Sequence, residues 1–310
     1  MKDLIIIGGG PAGVAAGVYA ARKYLQTEFI AEEIGGQSVV SEGIENWIGL
    51  AKISGADLAK TLRAHLEVVM GDKITLKLGT RVEKLARIEG GFRAITKGGE
   101  TVDARAVLIA SGASRRKLEV PGAQKFEHKG VTYCASCDGP LFAGMDVAVV
   151  GGGNAGFETA AQLLAYAKSV TLIHRHATFK ADPITVERVC AHPHMHTITH
   201  AEPTEVIGEQ FVSGLRYRNT DTGEEAILPV SGVFVEAGVI PSTEFAEGLL
   251  ELDAVKRVTV DPRTQRTSTE GIWAAGDCTD ELYHQNNIAA GDGVKALEDL
   301  YLWLKTHAST

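Results

Sequence analysis

Residues 5–13 read IIIGGGPAG, and residues 148–156 read AVVGGGNAG. Each begins as a short apolar run without polar alternation, the pattern of a parallel strand covered on both faces. Each then carries G-x-G-x-x-G and enters an Ala-rich stretch of helical character. In such a loop the first glycine (Gly8, Gly151) permits the tight turn and the second (Gly10, Gly153) lets the backbone approach a pyrophosphate. The third (Gly13, Gly156) lets the helix pack close to the strand. The helix starts, Ala12 after Pro11 in one copy and Asn154-Ala155 in the other, offer free N–H groups and a positive dipole end to phosphates. One such loop is a weak signal, but two in strand–loop–helix contexts predict two dinucleotide-binding units in one chain.

The repetition extends outward. Helices are expected over 13–23 and 156–167, and second strands over 27–31 and 169–174. Further on, FRAITKGGETVDARAVLIASG (92–112) and LRYRNTDTGEEAILPVSGVFVEAG (215–238) each read as a β-meander with a Gly-containing turn, ending on a buried strand and a glycine, Gly112 and Gly238. The fold class is therefore α/β, with two Rossmann-like domains bearing β-meander insertions. The ends of the second strands separate the ligands. Glu32 and Glu33 lie about twenty residues beyond the first loop, where a carboxylate accepts from ribose hydroxyls, which suits an adenosine without a 2′-phosphate. His174-Arg175-His176, with Lys180 just beyond and no acid among them, suits a 2′-phosphate and hence NADPH over NADH.

The bulk composition narrows the classes. A chain of 310 residues that is 45% hydrophobic can bury the core of a soluble globular protein and hold two domains. A net charge of −8, with Lys and Arg dispersed, leaves no basic face for nucleic acid, and the RRK run at 115–117 reads as a solvated turn. Leu4 to Ala21 carries no charge, yet its GGGP would break a membrane helix and Met1-Lys2-Asp3 lacks a signal's basic start, so no membrane segment is expected. Four cysteines with one close pair do not form a secreted disulfide framework. They point to a reducing cytoplasm, with Cys190 and Cys278 as inert core thiols.

That close pair lies in VTYCASCDGP, 131–140. Zinc needs about four ligands, and Cys134 with Cys137 provides two. The His-rich CAHPHMHTITH at 190–200 could offer others, but its alternation reads as one face of a strand, so no metal is expected. A structural disulfide closes too small a loop to stabilise much. A redox centre fits better, since a pair placed between two nucleotide units can exchange with an outside disulfide, and Asp138 can relay a proton where the motif has no His. The plainer alternative for Asp138 is a turn cap before Gly139.

These stretches together resemble the low-molecular-weight thioredoxin reductases over essentially the whole chain. They are also similar to the C-terminal reductase part of the alkyl hydroperoxide reductase flavoprotein. The matching segments are GGGPAG (8–13), GGQ (35–37), IENWIG (44–49), ASG (110–112), CASCDG (134–139), GGGNAG (151–156), GVIPST (238–243) and GIWAAGDC (271–278), with CDGPLFAGMDVAVVGGGNAG (137–156) closest to the second group. The resemblance implies a class II pyridine nucleotide-disulfide oxidoreductase with a discontinuous FAD domain, 1–117 and 247–310, around an NAD(P)H domain, 118–246. It implies that Gly8, Gly10, Pro11, Ala12 and Gly13 take the FAD pyrophosphate, with Glu32, Glu33, Gly36, Gln37, Asn46, Val82, Ala110 and Gly112 along the rest of the cofactor. Asp277 would hold a ribityl hydroxyl, and His284, Gln285 and Asn286 would lead into a helix facing the flavin. Gly151, Gly153, Asn154, Ala155, Gly156, His174, Arg175, His176, Lys180 and Gly238 would take NADPH. Cys137 would be the flavin-proximal sulfur, Cys134 the interchange thiol and Asp138 the acid/base. Electrons would pass from NADPH through FAD and the cysteine pair to thioredoxin or a thioredoxin-like protein. The resemblance also implies a homodimer and rotation of one domain about crossings near 115–120 and 243–247.

The match departs in one place. Thioredoxin reductases usually carry H-R-R-x-x-x-R after the second strand of the second unit, where this chain reads HRHATFK, 174–180. His and Lys in place of two arginines weaken bidentate phosphate recognition, which keeps NADH open as the alternative cofactor. The alternatives are an NADH-using peroxiredoxin-system reductase working through a separate carrier, without fused thioredoxin-like domains, a ferredoxin-linked or dithiol-oxidase relative, and a non-catalytic flavin- or zinc-binding protein. The second glycine loop argues against the ferredoxin-linked and oxidase readings.

Overall fold

A computed structural model describes residues 1–307 apart from 42, 43 and 45, so Glu45 of IENWIG and the end of the chain beyond 307 lie outside the described residues. The chain divides into two compact units, Met1–Ser114 with Ile240–Thr310, and Arg115–Val239. Those limits fall a few residues before the expected 117/118 and 246/247.

The first unit opens with β1 (Lys2–Ile7), α1 (Pro11–Arg22) and β2 (Thr27–Ala31), followed by α2 (Gly55–Met70), β3 (Ile74–Leu78), β4 (Val82–Ile88), β5 (Gly91–Thr96) and β6 (Thr101–Ile109). β3, β2, β1 and β6 lie side by side in parallel, and β6, β5 and β4 continue antiparallel as the expected meander. The apolar run of β1 lacks alternation because both faces are buried. Leu4 and Ile6 enter one core with α1 and the C-terminal helix, while Ile5 and Ile7 enter another with Val107, Ile109 and Phe92. α2 starts with a side-chain cap, in which the Ser54 hydroxyl accepts from Asp57 N–H at 3.1 Å and donates to Asp57 Oδ2 at 2.8 Å.

β7 (Ala113–Arg115) leads out of this unit. The second unit contains β8 (Val131–Thr132), α3 (Ala135–Asp138), β9 (Asp146–Val150), α4 (Asn154–Leu163), β10 (Ser169–Ile173), α5 (Pro183–Cys190) and β11 (Met195–Ile198). It continues with β12 (Ala201–Gly208), β13 (Val212–Asn219), β14 (Glu225–Leu228) and β15 (Gly232–Val235). Five strands form a parallel sheet in the order β11-β10-β9-β15-β8, and β12-β13-β14 form a separate antiparallel sheet. The side chains of β9 divide as those of β1 do, Val147 and Val149 to one core, Ala148 and Val150 to the other. β16 (Val239–Pro241) pairs with β7 where the chain returns, and β17 (Ile272–Ala274) joins β6 before α6 (Asn286–Thr306).

Three expectations need correction. Cys190 is exposed at the end of α5, whereas Cys278 is buried and its thiol is pushed up to about 11 by burial. Arg115, Arg116 and Lys117 are exposed as expected, but Arg115 ends the strand β7 and is not in a turn, and Arg115 and Lys117 pair with Glu236 and Glu127 at 3.2 and 2.8 Å. The strand expected to carry the alternating histidines begins only at Met195, so His194 precedes it. Among the described residues no helix is long and apolar enough to cross a membrane, and no cluster of three or more His, Cys, Asp or Glu could hold a metal.

Candidate functional site

The two glycine loops have the same internal geometry. Gly8 has φ +116° and a Cβ there would lie 2.0 Å from Ala110 O; Gly151 has φ +132° and a Cβ would lie 2.3 Å from Glu236 O. A Cβ on Gly13 would meet Gly8 O at 1.9 Å, and one on Gly156 would meet Gly151 O at 1.9 Å. At Gly10 and Gly153, by contrast, a Cβ would meet nothing within 4 Å. First and third glycines are thus required by the protein's own backbone, while the second leaves open the space a pyrophosphate would fill. Gly10 and Gly153 are also the N-caps of α1 and α4 and cap with no side chain, so the first N–H groups, beginning at Ala12 after Pro11 in α1 and at Asn154 in α4, remain free for an anion.

In the first unit the loop forms the floor of a cleft of about 840 Å³. Gly8, Gly10, Pro11 and Ala12 line it together with Glu32, Glu33, Gly36, Gln37, Val82, Ala110, Gly112, Asp277 and Asn286. Gly13 packs behind the loop. Asn46, Gln285 and His284 lie off the lining. The Asn46 amide donates to Gln285 Oε1 at 3.1 Å, and His284 Nε2 sits 3.0 Å from Glu281 O. The cleft adds residues that no motif marks, Arg81 and Glu83, which flank Val82, and Ser38, whose hydroxyl donates to Asn286 Oδ1 at 2.7 Å. Within the motifs, Ser111 of ASG donates to the carbonyl of Ser242 in GVIPST at 2.6 Å. An elongated cradle with free helix N–H groups in its floor and carboxylates at Glu32, Glu33 and Asp277 fits a dinucleotide such as FAD.

The second loop sits where β9 separates β10 from β15, a topological switch point. Arg175, His176 and Lys180 are exposed beyond β10, but His174 is not. Its ring backs the loop, 2.6 Å from where a Cβ of Gly152 would be, and Nε2 lies 3.1 Å from Thr178 O. Burial pushes the His174 pKa down, so its part in the site is packing and not charge. Arg175 Nε donates to His176 Nε2 at 3.1 Å. Asn154 Oδ1 accepts from Asp182 N–H at 2.8 Å, tying α4 to the cap of α5, while Ala155 is exposed beside it. Gly238 has φ +102° with open space where a Cβ would be. The tip of the β13–β14 hairpin, 220–224, also reaches this corner. Thr220 donates from its hydroxyl to Arg175 O at 3.3 Å and from its N–H to His200 O at 2.7 Å, and Asp221 Oδ2 pairs with His200 Nδ1 at 2.9 Å. Sequence inspection found no acid here because Asp221 arrives from a distant hairpin.

Cys134 and Cys137 are joined as a disulfide and both are half-buried. Cys134 caps α3, its Sγ accepting from Cys137 N–H at 3.2 Å. Asp138 closes that turn and its Oδ2 accepts from the Thr132 hydroxyl. Ser136 donates to Gln162 Oε1 at 3.1 Å, fixing the turn to α4.

Residues 2–293 match the model of the pyridine nucleotide-disulphide oxidoreductases. The chain belongs to that family. A protein named NADH dehydrogenase from Bacillus subtilis (strain 168) is 39% identical over 294 residues, 95% of this chain and 57% of that one. A component of the alkyl hydroperoxide reductase of Pseudomonas putida is 40% identical over 296 residues, 95% and 56%. The chain thus spans little more than half the length of these curated relatives. Among solved structures, thioredoxin reductase from Streptococcus pyogenes MGAS5005 covers 99% of each chain at 34% identity and a TM-score of 0.87. Thioredoxin reductase from Giardia duodenalis covers 98% of this chain and 99% of its own at 33% identity and 0.89. The chain thus combines membership of the pyridine nucleotide-disulphide oxidoreductase family with a thioredoxin reductase-like fold, and that family implies a flavin and a nicotinamide cofactor.

Proposed function

We propose that this chain is a flavoprotein disulfide reductase that draws electrons from NADPH and delivers them through Cys134 and Cys137 to thioredoxin or a thioredoxin-like protein. The observation that carries this reading is the coincidence, in one chain, of two glycine loops open at their second glycine and a cysteine pair set beside an acid. FAD would lie in the 840 Å³ cleft of the first unit and the nicotinamide dinucleotide over the second loop. A bound flavin would accept a hydride from the nicotinamide and return two electrons to a disulfide.

The residues of the chain then do the rest. The N–H of Cys137 points at Cys134 Sγ and favours negative charge there, which supports Cys134 as the attacking sulfur. Cys134 Sγ, having given its proton to Asp138, bonds to one sulfur of the partner's disulfide, whose S–S bond breaks, and the leaving sulfur takes that proton from Asp138. Cys137 Sγ then closes on Cys134 and displaces the partner's first sulfur, which takes the Cys137 proton, so the partner leaves as a dithiol. Two electrons and two protons pass to the partner and the Cys134–Cys137 bond is restored. The reading includes a homodimer working in the cytoplasm, checked by sedimentation and by fractionation.

A second reading, an NADH-using reductase serving a peroxiredoxin system, is favoured by Asp221, a carboxylate paired with His200 on the hairpin tip whose Thr220 hydroxyl bonds to Arg175 O, since negative charge at this corner opposes a 2′-phosphate. Anaerobic stopped-flow reduction of the purified flavoprotein by NADPH and NADH side by side separates the two. Faster flavin bleaching by NADPH, followed by reduction of a thioredoxin, is the expected result. Bleaching by NADH alone makes the second reading the better one, and absence of bound flavin ends both.

A further inference from the structure

The proton that leaves with the partner's sulfur needs a donor that is held still. Thr132 lies on β8, is 5% exposed and precedes Cys134 by two residues. Its Oγ1 accepts from Cys134 N–H at 3.4 Å and donates to Asp138 Oδ2. A hydroxyl has one proton to give and a backbone N–H can only donate, so the hydroxyl's proton goes to the carboxylate. Amide, hydroxyl and carboxylate form one chain, anchored on the edge strand β8, where Thr132 pairs with Phe234 of β15. Among the described residues of the elements beside the pair, the turn Gly139–Phe142 has no titratable side chain and α4 has only Glu158, the other titratable neighbours being the phenols Tyr133, next to Cys134, and Tyr166, packed on Gly139.

We propose that Thr132 is a positioning residue for proton transfer at the cysteine pair, holding Asp138 by Oδ2 and leaving Oδ1 as the oxygen that exchanges a proton with sulfur. This rests on the dithiol reading given above. A carboxylate on a single helical turn otherwise turns freely about its terminal torsion, and a misplaced acid loses much of its effect on rate.

The test uses the full chain, reduced at the cysteine pair, and two small disulfides. Hydroxyethyl disulfide releases a basic thiol that needs a proton, whereas an aromatic disulfide, dithiobis(nitrobenzoate), releases a stable thiolate that does not. Asp138→Asn is expected to slow the first reaction by about a hundredfold and Thr132→Val by about tenfold, the second reaction changing little in either. Thr132→Ser should regain most of the rate, and Thr132→Val should add nothing in the Asp138→Asn background. Thr132→Ala replaces the valine variant if that fails to retain flavin. Equal slowing of both disulfides by Thr132→Val, no rescue by serine, or additivity with Asp138→Asn would mean a structural role and overturn the proposal. If Asp138→Asn discriminates between the disulfides but Thr132→Val does not, Thr132 alone is wrong. If neither discriminates, the acid/base reading of Asp138 falls with it.

Discussion

Glu236 stands at the end of β15 with its side chain almost out of water. Thr159 donates to its Oε1 at 2.8 Å and Arg115 Nη1 approaches at 3.2 Å, yet burial outweighs both and raises its pKa above the ordinary glutamate range. A carboxyl whose folded pKa is raised contributes stability that is full below the unfolded value, about 4.3, and lost as pH rises through the folded value. Melting temperatures measured from pH 4 to 8 should therefore fall more with rising pH in the natural chain than in Glu236→Gln; parallel profiles would show that Glu236 does not titrate in that range. At the second nucleotide site, charge-assisted contacts to a phosphate are each worth about 1.5–3 kcal/mol, so Arg175→Ala should raise KM for NADPH at least tenfold with little change for NADH. Asp221→Asn should act oppositely, improving NADPH relative to NADH by a few-fold. Equal effects of Arg175→Ala on both cofactors would make 174–180 an ordinary loop. Cys134→Ser and Cys137→Ser should each abolish disulfide reduction while flavin stays bound and is still bleached by nicotinamide, and loss of bleaching in both would contradict the assigned order of transfer.

At the scale of elements, each strand–loop–helix unit makes a prediction that separates packing from binding. In Gly156→Ala the new methyl would lie 1.9 Å from Gly151 O, so the loop must open and the protein should lose about 1–3 kcal/mol as well as nicotinamide affinity. In Gly153→Ala the methyl meets no protein atom within 4 Å, so thermal unfolding should be nearly unchanged while nucleotide binding, read by calorimetry, drops. Equal destabilisation by both would show that the second glycine is not reserved for a ligand. These elements were the most legible part of the sequence, because a strand buried on both faces and a loop dictated by backbone collisions leave a continuous local pattern. β2 runs over Thr27–Ala31 as expected, whereas α4 ends at Leu163, short of the expected 167. The fixed spacing of Cys134, Cys137 and Asp138 was equally local. What could not be read was assembled from afar: Arg81 and Ser38 in the cleft, Asp221 brought to His200 by a hairpin, and the inward turn of His174, which looked like one more cation.

Over the whole molecule, the second unit is continuous in the chain and the first is not. A continuous unit with its own two cores should fold alone. A fragment spanning Arg115–Val239 should therefore unfold cooperatively, form its disulfide and bind nicotinamide dinucleotide without any flavin absorbance. A fragment that stays unfolded would mean that this unit draws its stability from the rest of the chain.

The discontinuity of the first unit also sets an order in time. Gly293 of α6 lies so close to α1 that a Cβ would be 2.2 Å from Ala12 O, and Ala289 and Asn286 at the start of α6 line the cleft. During synthesis, β1 and α1 leave the ribosome before the second unit but cannot close their core until α6 is made. The second unit, emerging between them, meets no such wait. Ribosomes stalled near residue 280 should accordingly carry a folded, protease-resistant second unit and an open first one, with flavin capture waiting until α6 has emerged.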